Sequence, residues 1–142
     1  KMKTTKILVQ KSETGLSEDN KAKLKSLEIY KDKKHFKFSN GWVDLAYELG
    51  KNIEEVCKLA NCELPKIEAM YNKYNSLRVD YNFTSPVPKI VETLIDSLIY
   101  VTEDKSEMIC EYCGKSCDIE ITEKNNNYIN ACEKCFDRKK RD

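Results

Sequence analysis

Apolar positions recur with two different periods along this chain, and the changes of period divide it into elements. Thr5 to Gln10 is β-branched and apolar, which predicts a short strand. Ser12 to Asn20 reads as a loop running into a helix start, with Ser17 as N-cap of a short helix over 18–25. Leu24, Leu27 and Tyr30 keep helical spacing, yet Leu27 with Ile29 and Phe36 with Phe38 alternate as strand residues do. With Lys31 to Lys34 as the turn, the pattern predicts a hairpin with arms near 27–31 and 35–39. After the break at Ser39, Asn40 and Gly41, the residues Trp42, Leu45, Ala46 and Leu49 recur at i, i+3, i+4 and i+7, predicting a helix that ends at Gly50. Helical spacing resumes from Ile53 to Met70.

Tyr71, Tyr74, Tyr81 and Phe83 follow without a Lys-Arg cluster, so they read as core packing and not as a stacking platform for bases. Ser85 and Pro86 then read as N-cap and first residue of a long amphipathic helix carrying Val87, Ile90, Val91, Leu94, Ile95, Leu98, Ile99 and Val101, ended by Glu103, Asp104 and Lys105. A stripe that wide is more than one neighbour covers. It is either the central core helix, which is the favoured reading, or half of a homodimer interface over 86–101.

Composition narrows the class. The chain has 142 residues, 40% apolar and 35% charged, and no apolar run approaches the roughly 18 residues of a membrane span. The apolar stretch near the N-terminus is too short for a signal peptide. Seven cysteines, an odd number, fit a reducing compartment better than a disulfide scaffold, and the expectation is a cytoplasmic protein. The net charge of +1 gives no global field for nucleic acid, but the distribution is uneven. Residues 1–38 hold eleven Lys against five acids, residues 39–77 four against six, and residues 78–142 ten basic groups against thirteen acids. Arg138, Lys139, Lys140 and Arg141 add a basic cluster near the end.

The plainest chemistry lies after Met108. Cys110 and Cys113 form one C-x-x-C pair and Cys132 and Cys135 another, with eighteen residues between them, a spacing suited to a tetrahedral metal site. Gly114 lets the backbone turn back after Cys113, and Asp118 to Thr122, Asn125 to Asn127 and Tyr128 to Ala131 read as a hairpin that returns the second pair to the first. Four thiolates leave no open position, so one structural Zn2+ is expected. Cys117 is a bystander or a substitute for Cys113. His35, the one histidine, is expected on a surface strand.

The C-terminal segment resembles the zinc-ribbon and treble-clef group. Residues 53–70 resemble the helix-turn-helix of repressor-like DNA-binding families, with Cys57 small at the helix crossing, Asn61 at the turn, and Cys62, Ile67 and Met70 buried. That resemblance implies a second helix offering Lys66, Asn72 and Lys73 to a groove, beside the carboxylates Glu63 and Glu68 that phosphates repel.

The expected organisation is α+β: a Lys-rich strand and hairpin segment over 1–40, a helical helix-turn-helix-like core over 41–104, and a four-cysteine zinc-binding module over 105–142. No nucleophile–base pair, phosphate loop or carboxylate dyad stands out, so an enzyme is not expected. Two functions remain. The first, which the helix-turn-helix resemblance favours, is a regulator that docks on double-stranded DNA, with the Lys-rich N-terminus or Arg138 to Arg141 gripping phosphates. The second is an adaptor or inhibitor that occupies a nucleic-acid-handling protein.

Overall fold

The computed structural model describes residues 15–33, 35–116 and 131–135, so the strand predicted over 5–10 lies outside the described residues. The class is α+β, with three α-helices and a two-stranded antiparallel sheet among those residues. Helix α1 spans Glu18–Lys25 as the sequence predicts, and the Ser17 hydroxyl accepts from the Asn20 N–H at 3.2 Å. Acids in its first turn and lysines in its last complement the helix dipole. Asn40 holds the cap to the body, its side-chain oxygen accepting from Ser17 N and Asn20 Nδ2, both at 2.9 Å.

The hairpin predicted near 27–31 and 35–39 does not form. Glu28–Tyr30 is a 3-10 turn, because the Tyr30 ring points into the core and its hydroxyl donates to the Ala46 carbonyl at 2.7 Å. The second arm is extended but pairs elsewhere: Lys37 forms a parallel bridge with Tyr71, and Phe36 and Phe38 pack inward beside Tyr30 with ring centroids 5.8 and 6.1 Å apart in turn. His35 is exposed.

Helix α2, Val43–Leu59, follows a 3-10 turn at Asn40–Trp42 and runs straight through Gly50. The glycine is there for space and not to stop the helix. A Cβ on it would lie 2.7 Å from the Tyr30 ring and 2.8 Å from Leu27. The stop comes at Asn61, whose φ of 53° is left-handed. Cys62 N then bonds the Cys57 carbonyl at 2.8 Å and Asn61 N the Lys58 carbonyl at 3.2 Å, the paired bonds of a Schellman cap.

No second helix follows, which corrects the helix-turn-helix expectation. Strand β1, Lys66–Lys73, and strand β2, Ser76–Asn82, form an antiparallel hairpin. Its turn is Tyr74 and Asn75, both at positive φ, the geometry a two-residue hairpin requires. A bulge between Ile67 and Ala69 puts Ile67 and Met70 on the same buried face three residues apart, which imitates helical spacing. Lys66, Asn72 and Lys73 therefore lie along a strand and present no helix face.

Helix α3 spans Lys89–Ser106, later at both ends than the sequence suggests. Ser85 is not the N-cap; its hydroxyl bonds Glu63, and Pro88 takes the cap position without a side-chain cap bond. At the far end Glu103 and Ser106 stay helical while accepting from the N–H groups of Val79 and Leu77 at 3.2 and 2.8 Å, so the last turn satisfies the edge of β2. Val91, Ile95 and Ile99 face the core, whereas Ile90, Leu94 and Val101 face outward. The core thus takes about half of the stripe. Helix α2 packs against both α1 and α3, and α3 against β2, around Trp42, Leu49, Ile53, Met70, Leu77 and Ile95. No helix among the described residues is long and apolar enough to cross a membrane.

Candidate metal centre

The chain leaves α3 at Ser106 and turns at once into the first C-x-x-C. Ile109 and Ser116 pair antiparallel, Cys110 N bonds the Lys115 carbonyl, and Gly114 N bonds the Cys110 carbonyl, the latter two at 2.9 Å. Gly114 has φ of 77°, so the turn predicted from Cys-Gly is present. This is a small knuckle whose amides close over the Cys110 sulfur.

The sulfurs of Cys110, Cys113, Cys132 and Cys135 lie within 4.8 Å of one another. Cys113 and Cys132 are 3.8 Å apart, about the edge of a tetrahedron with metal–sulfur bonds of roughly 2.3 Å. Three of the four are buried and Cys113 is exposed. Burial pushes the Cys110 thiol up, and Cys135 is pushed up by burial and by the neighbouring sulfurs. At Cys132 burial also acts upward, but the Cys135 backbone and the surrounding thiols outweigh it and bring the group down to about 7. Four thiolates this close repel one another unless a cation sits among them, so the donor set fits a divalent ion. Cys113 belongs to the cluster; Cys117 lies outside the described residues, as do the predicted hairpin and Arg138, Lys139, Lys140 and Arg141. Cys57 is buried in the core and Cys62 packs on it, both away from the cluster.

The knuckle is fastened to the body. Gly41 N donates to the Glu111 carbonyl at 2.6 Å, and Trp42 Nε1 donates to the Ile109 carbonyl at 3.0 Å. The Glu111 side chain is almost completely buried, accepting from Ser39 N at 3.1 Å and Asn72 Nδ2 at 2.7 Å. Burial pushes its carboxyl up to about 7 despite those two hydrogen bonds. A Cβ on Gly41 would lie 2.2 Å from the Cys110 carbonyl oxygen, so only glycine lets the two backbones approach this closely.

Sequence reasoning passed over Glu111 and the bond that Asn72 donates to it. Glu111 occupies a variable position of C-x-x-C, where carboxylates are ordinarily solvated. No local signal in the sequence marks it, because its two binding partners lie 72 and 39 residues earlier. Asn72 is turned to Glu111 and not to a groove, Lys66 is exposed at the start of β1, and the Lys73 ammonium sits 5.4 Å over the Tyr74 ring.

The arrangement can cross-link two chain segments through one ion and join that cross-link to the sheet and to the start of α2. Compared with known proteins, the chain matches no family, no curated protein and no solved structure.

Proposed function

We propose that this is a zinc-braced, non-enzymatic protein that acts by binding another protein, as an adaptor or inhibitor of nucleic-acid-handling machinery. The observation that carries the reading is the closed set of four converging sulfurs, fastened to the body through Glu111 and Gly41. Cys110, Cys113, Cys132 and Cys135 would hold the ion, and four thiolates leave it no position for a substrate. Zinc suits four sulfurs in tetrahedral array and needs no redox chemistry; iron is the competing metal for that donor set. What the ion would supply is a cross-link between the two cysteine pairs, contributing roughly 10–16 kcal/mol in comparable small modules.

A protein partner is favoured over DNA by two features of the body. The segment expected to read a groove is a strand, and residues 43–107 carry twelve acids against seven Lys and Arg. Carboxylates on helix surfaces repel phosphate and complement a basic surface that ordinarily takes phosphate. Titrating binding to random duplex DNA against salt separates the two readings. No measurable binding at moderate salt is expected, together with a partner retained in a lysate pull-down after nuclease treatment. Tight binding to the duplex with affinity falling steeply as salt rises would replace this reading with a DNA regulator.

A further inference from the structure

Helix α3 carries a second apolar face that the described residues leave largely exposed. Ile90, Leu94 and Val101 are 64%, 46% and 48% exposed, and Tyr100 beside them is 69% exposed. Ile90, Leu94, Ser97 and Val101 are spaced by four, three and four residues, the spacing that keeps one seam facing a neighbouring helix. Ser97 is the small member, and its hydroxyl already donates to the Thr93 carbonyl at 2.9 Å, so it can enter a dry contact without losing a partner.

We propose that two copies of this chain pair antiparallel through α3. Ile90 packs against the partner's Val101, and Leu94 against the partner's Ser97, with the two reciprocal contacts completing the seam. Self-complementarity points to a second copy as the occupant. In this register each large residue meets a smaller one, and Tyr100 covers the partner's Thr93 at the flank. The ends also match. Asp104 arrives at the N-terminus of the partner helix, where the first N–H groups have no side-chain cap and Lys89 stands adjacent. Lys89 lies 3.1 Å from Glu92 within its own helix, an exposed pair that exchanges at little cost. A parallel pairing would instead set Asp104 against the partner's Asp104. The proposal is independent of the metal reading, since none of these residues is among the four clustered cysteines.

The test is sedimentation equilibrium of the full chain, purified under reducing conditions, from about 5 to 200 µM, a range that brackets a micromolar dimer. Concentration-dependent dimer is expected. Leu94→Glu, at an exposed position, should raise the dissociation constant at least tenfold, roughly the effect of 1.4 kcal/mol, with an unchanged circular dichroism spectrum. Ser97→Leu tests the register. It makes the stripe more apolar, yet should weaken pairing because the partner's Leu94 fills that place. A monomer throughout the range, an unaffected dimer in Leu94→Glu, or tighter pairing in Ser97→Leu would each overturn the proposal.

Discussion

Replacing Gly41 with alanine perturbs the joint between the cysteine knuckle and the body while leaving every cysteine in place. Gly41 is not at positive φ, so alanine meets no backbone strain there, and the effect is steric. The added methyl would lie 2.2 Å from the Cys110 oxygen and 2.5 Å from the carbonyl carbon and oxygen of Glu111. All three atoms are backbone and cannot rotate away, so the knuckle must retreat by about 1 Å to reach ordinary contact distance. That retreat strains three hydrogen bonds: Gly41 N to the Glu111 carbonyl, Trp42 Nε1 to the Ile109 carbonyl, and Ser39 N to the Glu111 carboxylate. At roughly 0.5–1.5 kcal/mol for each bond, the expected loss is about 2–4 kcal/mol. Urea unfolding followed by Trp42 fluorescence reads it directly, because the indole is buried at this contact. Metal affinity should fall as well, since binding and docking share one folded state. A Gly41→Ala protein within about 0.5 kcal/mol of the parent, with equal metal affinity, would refute the claim that the knuckle is docked.

Other substitutions address neighbouring parts. Glu111→Gln keeps the shape but turns an amide N–H₂ toward one of the two donors, and should cost about 1–2 kcal/mol in the same urea assay; an unchanged midpoint would show that the carboxylate does not hold the joint. Cys110→Ser removes a fully buried member of the four-cysteine cluster, so stoichiometric metal should be lost on purification and Trp42 emission should shift, as measured by elemental analysis and fluorescence. Gly50→Ala gains helix propensity of about 1 kcal/mol but drives a methyl into the Tyr30 ring, and the overpacking should win with a net loss of roughly 1–2 kcal/mol by thermal melting. A stabilised Gly50→Ala protein would show that Tyr30 has room to move.

What could be read in the sequence depended on how local the cause was. The α1 cap at Ser17, the left-handed Asn61 and the Cys-Gly turn are each set by residues within one turn of themselves, and all three are present. The error at 66–82 has a physical origin in the bulge, which spaces Ile67 and Met70 like helix residues even though Leu77, Val79 and Tyr81 alternate openly on β2. Gly50 misled for a similar reason, since its role is fixed by Tyr30, twenty residues earlier. The four-cysteine cluster was legible because four thiols at fixed spacing have few alternatives. Its fastening was not, because Glu111 bonds Ser39 and Asn72 from distant parts of the chain.

The central claim is that Cys110, Cys113, Cys132 and Cys135 close around one structural ion. Elemental analysis of the chain purified under reducing conditions without chelator, combined with a count of reactive thiols before and after chelation, tests it most directly. About one zinc per chain is expected, with four thiols released for reaction only when the metal is removed. Protein that is folded by Trp42 fluorescence yet holds no stoichiometric metal, with all of those thiols reactive from the start, would contradict the account.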